Sequence, residues 1–206
     1  MIEFFFDCSS PWTYIAFRNI QPMALELRVP IVWRPVLVGG IFNSVNKSVY
    51  AAREDMNTPR NRYMLKDVQD SALEAGLLIT FPPKIFPVNS VKAMRGCLWI
   101  AQDEPSKSQF LAFVEAVFAA YFIQQKDISQ DDVLADICRE TDIDPDDFLA
   151  GIAHPDIKEA LKANTEEAIQ RGAFGSPTFF LNDDMYFGND RLPLVRSAIL
   201  RAQAAA

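Results

Sequence analysis

The densest chemistry in this sequence lies in Asp7-Cys8-Ser9-Ser10-Pro11-Trp12-Thr13-Tyr14, where an aromatic run gives way to a helical pattern. A group placed there sits at a helix N-terminus, where unpaired N–H groups and the macrodipole stabilise an anion. Thiolate enzymes use such a place to acidify a cysteine. Here Ser10 stands before the proline and Thr13 stands three along, so neither can form a disulfide. Ser10 has two readings. It is an N-cap alone, or a cap whose hydroxyl also donates a hydrogen bond to a thiolate carried in by a ligand. Cys8, on the strand side of the turn, reads as a small packed hydrophobe rather than a nucleophile.

Two further groups of residues could meet this one. In Gly172-Ala173-Phe174-Gly175-Ser176-Pro177-Thr178, an X-Pro bond opens a strand, which is where a cis peptide would serve. It would turn the N–H and C=O of Ser176 outward, to pair with an extended peptide as an added strand does. An ordinary turn before a strand accounts for the same residues. In Phe187-Gly188-Asn189-Asp190-Arg191-Leu192, Asn189 or Asp190 caps the last helix, or the acid grips a free α-amino group.

Other chemistries find no residues to work with. There is no GxGxxG after a strand and no GxxxxGK[ST]. The lone histidine, His154 in Ala-His-Pro-Asp, lies deep in a helical stretch and reads as a surface loop entering a helix, not as a triad base. One imidazole and three widely spaced cysteines, Cys8, Cys97 and Cys138, with no CxxC, offer no metal set and fit a reduced, cytoplasmic setting.

These residues need elements to hold them. Residues 2–6 read as a short buried strand, and Ser10-Pro11 opens a helix running to about Leu27. Val29 to Val38 reads as a second strand with Val32, Trp33 and Val36 toward the core, which makes a right-handed βαβ unit. Gly39-Gly40 ends that strand, and a polar loop through Asn43, Asn46 and Lys47 follows. Helical patterns then cover Arg60–Ala75, Asn89–Gln102, Ser106–Phe122, Gln130–Thr141, Pro145–Ala150 and Asp156–Arg171. Phe110, Phe113, Val114, Val117, Phe118 and Tyr121 mark one buried face. No fixed period recurs, which excludes a solenoid. Pro177–Leu181 and Met185–Phe187 read as a hairpin about the turn Asn182-Asp183-Asp184, and Arg191–Ala204 as a closing helix. Joining the ends gives an α/β fold: a thioredoxin-like, four-stranded mixed sheet over residues 1–55 and 172–206, interrupted by an all-helical insertion over 56–171.

Of the 206 residues, 50% are hydrophobic and 12% aromatic, enough for a large core, and the net charge is −7. An acidic surface repels phosphate backbones, and Arg53, Arg60, Arg62 and Lys66 are interleaved with Glu54, Asp55 and Asp67, so nucleic acid is not an expected partner. The N-terminus lacks the basic start of a signal peptide, and no apolar run approaches the ~20 residues of a membrane span.

Taken together, Asp7-x-x-Ser10-Pro11, Gly175-Ser176-Pro177-Thr178 and Gly188-Asn189-Asp190-Arg191 resemble the 2-hydroxychromene-2-carboxylate isomerase family over nearly the whole chain. That family is similar to the kappa class of glutathione transferases, and both belong with the DsbA-like branch of the thioredoxin superfamily, whose dithiol members carry Cys-Pro-x-Cys at the first helix. The resemblance implies glutathione as cofactor. It matches Ser10 to the serine facing the glutathione sulfur, and Ser176 to the residue before the family's cis-proline, whose backbone pairs with the cysteinyl part. Asn189 and Asp190 match the pair holding the γ-glutamyl end. Asn46 resembles the asparagine of the family's Gly-Asn-x-Pro, although Val45 replaces the glycine and no proline follows. Arg60 falls where relatives carry a cation for the glycyl carboxylate. Trp12 with Phe81 or Phe86 would wall an aromatic substrate.

The implied reaction is an isomerisation of an aromatic keto acid of the kind met in aromatic compound degradation. Glutathione thiolate adds to the conjugated system, the resulting single bond rotates, and glutathione leaves unchanged. A kappa-like transferase, which keeps the thioether, uses the same residues. A dithiol oxidoreductase is opposed by Ser10 and Thr13, and a non-catalytic thioredoxin-fold binding protein remains a rival. The family also implies a homodimer.

Overall fold

The computed structural model describes residues 1–55, 57–102 and 107–205. It has a four-stranded mixed sheet in the order β2-β1-β3-β4. β1 (Ile2–Phe6) pairs in parallel with β2 (Ile31–Pro35) and antiparallel with β3 (Thr178–Leu181), which pairs antiparallel with β4 (Asp184–Phe187). Apart from Glu3, which pairs with Arg34 and Arg171, β1 is apolar on both sides because both faces of the sheet are covered. Phe4 and Phe6 enter the larger core cluster with Phe179, while Phe5 enters a second one with Val36, Ile41, Ala168 and Phe180. Each fully buried phenylalanine contributes roughly 1.5–3 kcal/mol.

The helix after β1, α1 (Pro11–Glu26), begins and ends where proline and the apolar pattern place it. β2 is shorter than expected. Pro30 and Pro35 bound it, and beyond Val36, whose N–H still donates to Phe6 O at 3.0 Å, the amides of Leu37 and Val38 turn away to side chains. Val36 is fully buried; Trp33 is half-buried against Phe4 and Phe17 (centroids 5.4 and 5.3 Å), and Val32 is half-buried.

The expected loop at Gly39-Gly40 is instead helical. α2 (Val38–Val45) contains both glycines, and α3 (Ser48–Glu54) follows. Helical glycine costs about 1 kcal/mol relative to alanine, so local preference argues against α2. Tertiary capping and packing reverse it: the Asp7 carboxylate accepts the Val38 N–H at 2.8 Å, Thr165 Oγ1 accepts that of Leu37 at 3.0 Å, and Ile41 is buried in the Phe5 cluster.

The helical block comprises α4 (Pro59–Glu74), α5 (Val91–Gln102), α6 (Lys107–Phe122), α7 (Asp131–Glu140), α8 (Pro145–Ala153) and α9 (Pro155–Gln170). Each matches an expected helix within a few residues; the expected first residue of α6, Ser106, lies outside the described residues. The stripe from Phe110 to Tyr121 on α6 is buried. His154 is exposed and caps α9, its Nδ1 accepting the Asp156 N–H at 3.3 Å. α10 (Leu192–Ala204) closes the chain against α1. Among the described residues no helix is long and apolar enough to cross a membrane, and no group of His, Cys, Asp and Glu could hold a metal ion.

Candidate active site

The end of β1 and the start of α1 are stitched to the loop before β3. Ser10 is the N-cap of α1: its Oγ accepts the Thr13 N–H at 3.3 Å and donates to Ser176 O at 3.0 Å. Thr13 is buried, and its Oγ1 lies 2.8 Å from Ser176 Oγ, which also accepts the Asp7 N–H at 3.0 Å. The Ser176–Pro177 peptide is cis. Pro177 O accepts the N–H of Gly188 at 3.0 Å, which brings the turn carrying Asn189 and Asp190 alongside.

Beneath this junction the Asp7 carboxylate accepts the N–H groups of Ser9 (2.9 Å) and Val38 (2.8 Å). Burial raises its pKa above the ordinary aspartate value, and hydrogen bonds from Ser9, Val38 and Ser90 partly offset the rise. Burial first, then the Cys97 thiol and the charge of Asp7, push the Cys8 thiol well above the usual range. Cys8 is fully buried and protonated, consistent with packing rather than attack.

Above the junction lies a cleft of about 460 Å³. Ser10, Trp12, Asn46, Arg60, Phe81, Phe86 and Ser176 all line it, with Phe42, Met64, Phe174 and Phe187. A second cavity of about 240 Å³ shares Trp12, Ser176 and Phe187 with it and is also lined by Pro177, Asn189, Asp190, Asp67 and Ser71. Ser10, Trp12, Asn46, Arg60, Phe81, Phe86, Ser176, Pro177, Asn189 and Asp190 thus line one or other of these two neighbouring cavities. Two of these residues differ from the capping expectation. Neither Asn189 nor Asp190 caps α10: Asn189 Oδ1 accepts from Asn19 Nδ2 at 3.0 Å, and Asp190 pairs with Arg191 at 2.7 Å. Asn46 Nδ2 donates to Phe174 O at 3.0 Å, tying the end of α2 to the loop before β3. Arg60 is exposed on the first turn of α4 and forms no ion pair with another described residue.

Comparison with known proteins fits this geometry. The family model for the DSBA-like thioredoxin domain matches residues 1–200. The chain belongs to this family. Among relatives, it is 25% identical over 201 residues to a 2-hydroxychromene-2-carboxylate isomerase of Pseudomonas putida, covering 98% of this chain and 95% of that protein. It is 24% identical to glutathione S-transferase kappa 2 of Caenorhabditis elegans, over 95% and 89% of the two chains. A solved 2-hydroxychromene-2-carboxylate isomerase superposes with a TM-score of 0.79 at 25% identity, over 99% of this chain and 97% of the other.

In this DSBA-like domain several cleft residues carry no motif. Arg60, Met64, Asp67 and Ser71 recur at helical spacing, so α4 presents one face to the cleft, and that period was the available signal. The contact of Phe174 with Phe187, tilted rings 4.3 Å apart in the cleft lining, had no local signal; their approach depends on Gly175, where an added Cβ would lie 2.8 Å from the Phe187 ring.

Proposed function

We propose that the chain is a glutathione-dependent enzyme, an isomerase of 2-hydroxychromene-2-carboxylate-type aromatic keto acids. The observation carrying this is the polarity of the cleft about Ser10. A helix N-terminus with a hydroxyl, Ser10, and the cation Arg60 line the cleft, and the carboxylates Asp67 and Asp190, the latter paired with Arg191, line the neighbouring cavity. Glutathione offers groups to match, with an α-ammonium beside an α-carboxylate at its γ-glutamyl end, a thiol in the middle and a carboxylate on its glycine. The γ-glutamyl group lies by Asn189 and Asp190, the cysteinyl part pairs with the Ser176 backbone before Pro177, and the glycyl carboxylate meets Arg60 near Asn46. The N-terminus of α1 and the Ser10 hydroxyl hold the sulfur as thiolate.

Trp12, Phe81 and Phe86 wall the substrate's aromatic part, joined by Phe42, Phe174 and Phe187. The thiolate adds to the conjugated system and a proton from solvent completes the adduct. Rotation about the new single bond, loss of that proton and expulsion of the thiolate release the isomer and regenerate glutathione. A homodimer in the cytoplasm, serving aromatic compound degradation, goes with this reading.

A second reading, a kappa-like transferase that retains the thioether, is favoured by the kappa 2 relative. Assays of isomerisation and of conjugation, each with and without glutathione, separate the two; no glutathione dependence in either overturns both. Insulin reduction checks for a dithiol oxidoreductase, and Ser10 with Thr13 predicts none. Calorimetry with glutathione tests the non-catalytic rival, which would bind none.

A further inference from the structure

We propose that Ser10 exchanges hydrogen-bond partners when the thiol ligand binds, and that this exchange selects thiols with an amide N–H on the carbon next to the CH2–SH group. The inference rests on the proposed use of glutathione and specifies how the same site recognises it. A serine hydroxyl has a single hydrogen. In the structure that hydrogen goes to Ser176 O, at 3.0 Å. Donation to a thiolate therefore requires Ser10 to leave this carbonyl.

The carbonyl is not free to follow. Ser176 is buried, its Oγ is held by Thr13 Oγ1 at 2.8 Å and by the Asp7 N–H at 3.0 Å, and the adjoining Pro177 O is held by the Gly188 N–H at 3.0 Å. Ser10, by contrast, needs only a turn about its Cα–Cβ bond, and its other polar contact, from the Thr13 N–H, is the long one at 3.3 Å. Leaving the carbonyl gives up the hydrogen bond it accepts from the protein, at the penalty of that lost bond. A cysteinyl N–H presented to Ser176 O removes that penalty. The count then closes: the ligand N–H satisfies the carbonyl, and the Ser10 hydroxyl is released to the sulfur. A thiol without that N–H can occupy the cleft, but it leaves Ser10 tied to Ser176 and gains no hydrogen bond to its thiolate. The backbone contact thus controls the acidity of the thiol as well as ligand affinity.

The test compares glutathione with its depsipeptide, in which 3-mercaptolactate replaces cysteine and an ester oxygen replaces the N–H. Each is bound at saturation to the wild-type protein and to Ser10→Ala. Affinity is read by calorimetry and the thiol pKa by ultraviolet titration of the thiolate. The depsipeptide binds more weakly to both proteins. In the wild type the downward shift of its thiol pKa on binding, taken from each free ligand, is about one unit smaller than that of glutathione, a tenfold smaller gain in thiolate ratio, from one charge-assisted hydrogen bond. In Ser10→Ala the two ligands shift equally from their free values. Equal shifts in the wild type, or a difference that persists in Ser10→Ala, overturn the exchange while leaving glutathione binding intact. Absence of glutathione binding to the wild type overturns the proposed function, and the exchange with it.

Discussion

Ser10→Ala removes two bonds at once: the cap on the Thr13 N–H and the donor to Ser176 O. Loss of a serine cap destabilises by about 1 kcal/mol. The proposed chemistry adds a second consequence that capping alone does not, since the bound glutathione thiol loses a charge-assisted donor and its pKa rises by about one unit. Thiolate titration of the complex measures this, and an unchanged titration with lowered stability would reduce Ser10 to a cap. Asp7 makes a separate prediction. Its folded-state pKa is raised, so between the ordinary aspartate value and the folded one the native chain binds more protons than the unfolded chain. Stability from this residue is therefore fully present below the unfolded pKa and lost as pH rises through the folded one. Asp7→Asn removes the titration, so urea midpoints at stepped pH should show the wild type losing ground relative to the variant across that window. A constant difference between the two would mean that Asp7 does not titrate there.

Elements built from local signals were legible, and those held by distant partners were not. Ser10-Pro11 announces α1, and the Asn182-Asp183 turn, with Asn182 at φ +57°, announces the β3–β4 hairpin. α2 was hidden because its evidence lies 128 residues away, in the Thr165 hydroxyl that accepts the Leu37 N–H, and 31 residues away in Asp7. The same division runs through the cleft. Ser10, Ser176, Asn189 and Asp190 sit in short motifs, whereas Phe42, Phe174 and Phe187 meet only after folding. Thr165→Val keeps the shape of that side chain and removes the acceptor, leaving the Leu37 N–H unpaired at a cost of about 1 kcal/mol. α2 carries Val38, Phe42 and the neighbouring Asn46 into the cleft, so the loosened helix should also weaken glutathione binding in calorimetry. A stability loss with unchanged affinity would show that α2 is scaffold only.

At the scale of the molecule, the helical block completes the sheet's core instead of sitting beside it. One hydrophobic cluster joins Phe4, Phe6 and Phe179 of the sheet to Phe17 of α1, Cys97 of α5, Phe113 and Phe118 of α6, and Phe148 of α8. Phe110 of α6 meets Phe6 and Trp33 edge-on or tilted, at 6.5 and 6.0 Å. Among the described residues, the helical block and the sheet therefore share one core cluster. Gly96 offers a way to strain the block at a distance from the sheet. Its missing side chain lets Phe148 approach so closely that an added Cβ would lie 2.5 Å from the ring, with Phe113 at 3.1 Å. Gly96→Ala forces one of these buried rings aside, at about 1–3 kcal/mol. If the chain folds as one unit, hydrogen-exchange protection followed through a urea series falls at a single midpoint in peptides from β1 and from α6. The substitution then lowers both midpoints equally. Loss of protection in α5–α8 at urea concentrations where β1 and β3 stay protected would show instead an insertion that unfolds by itself.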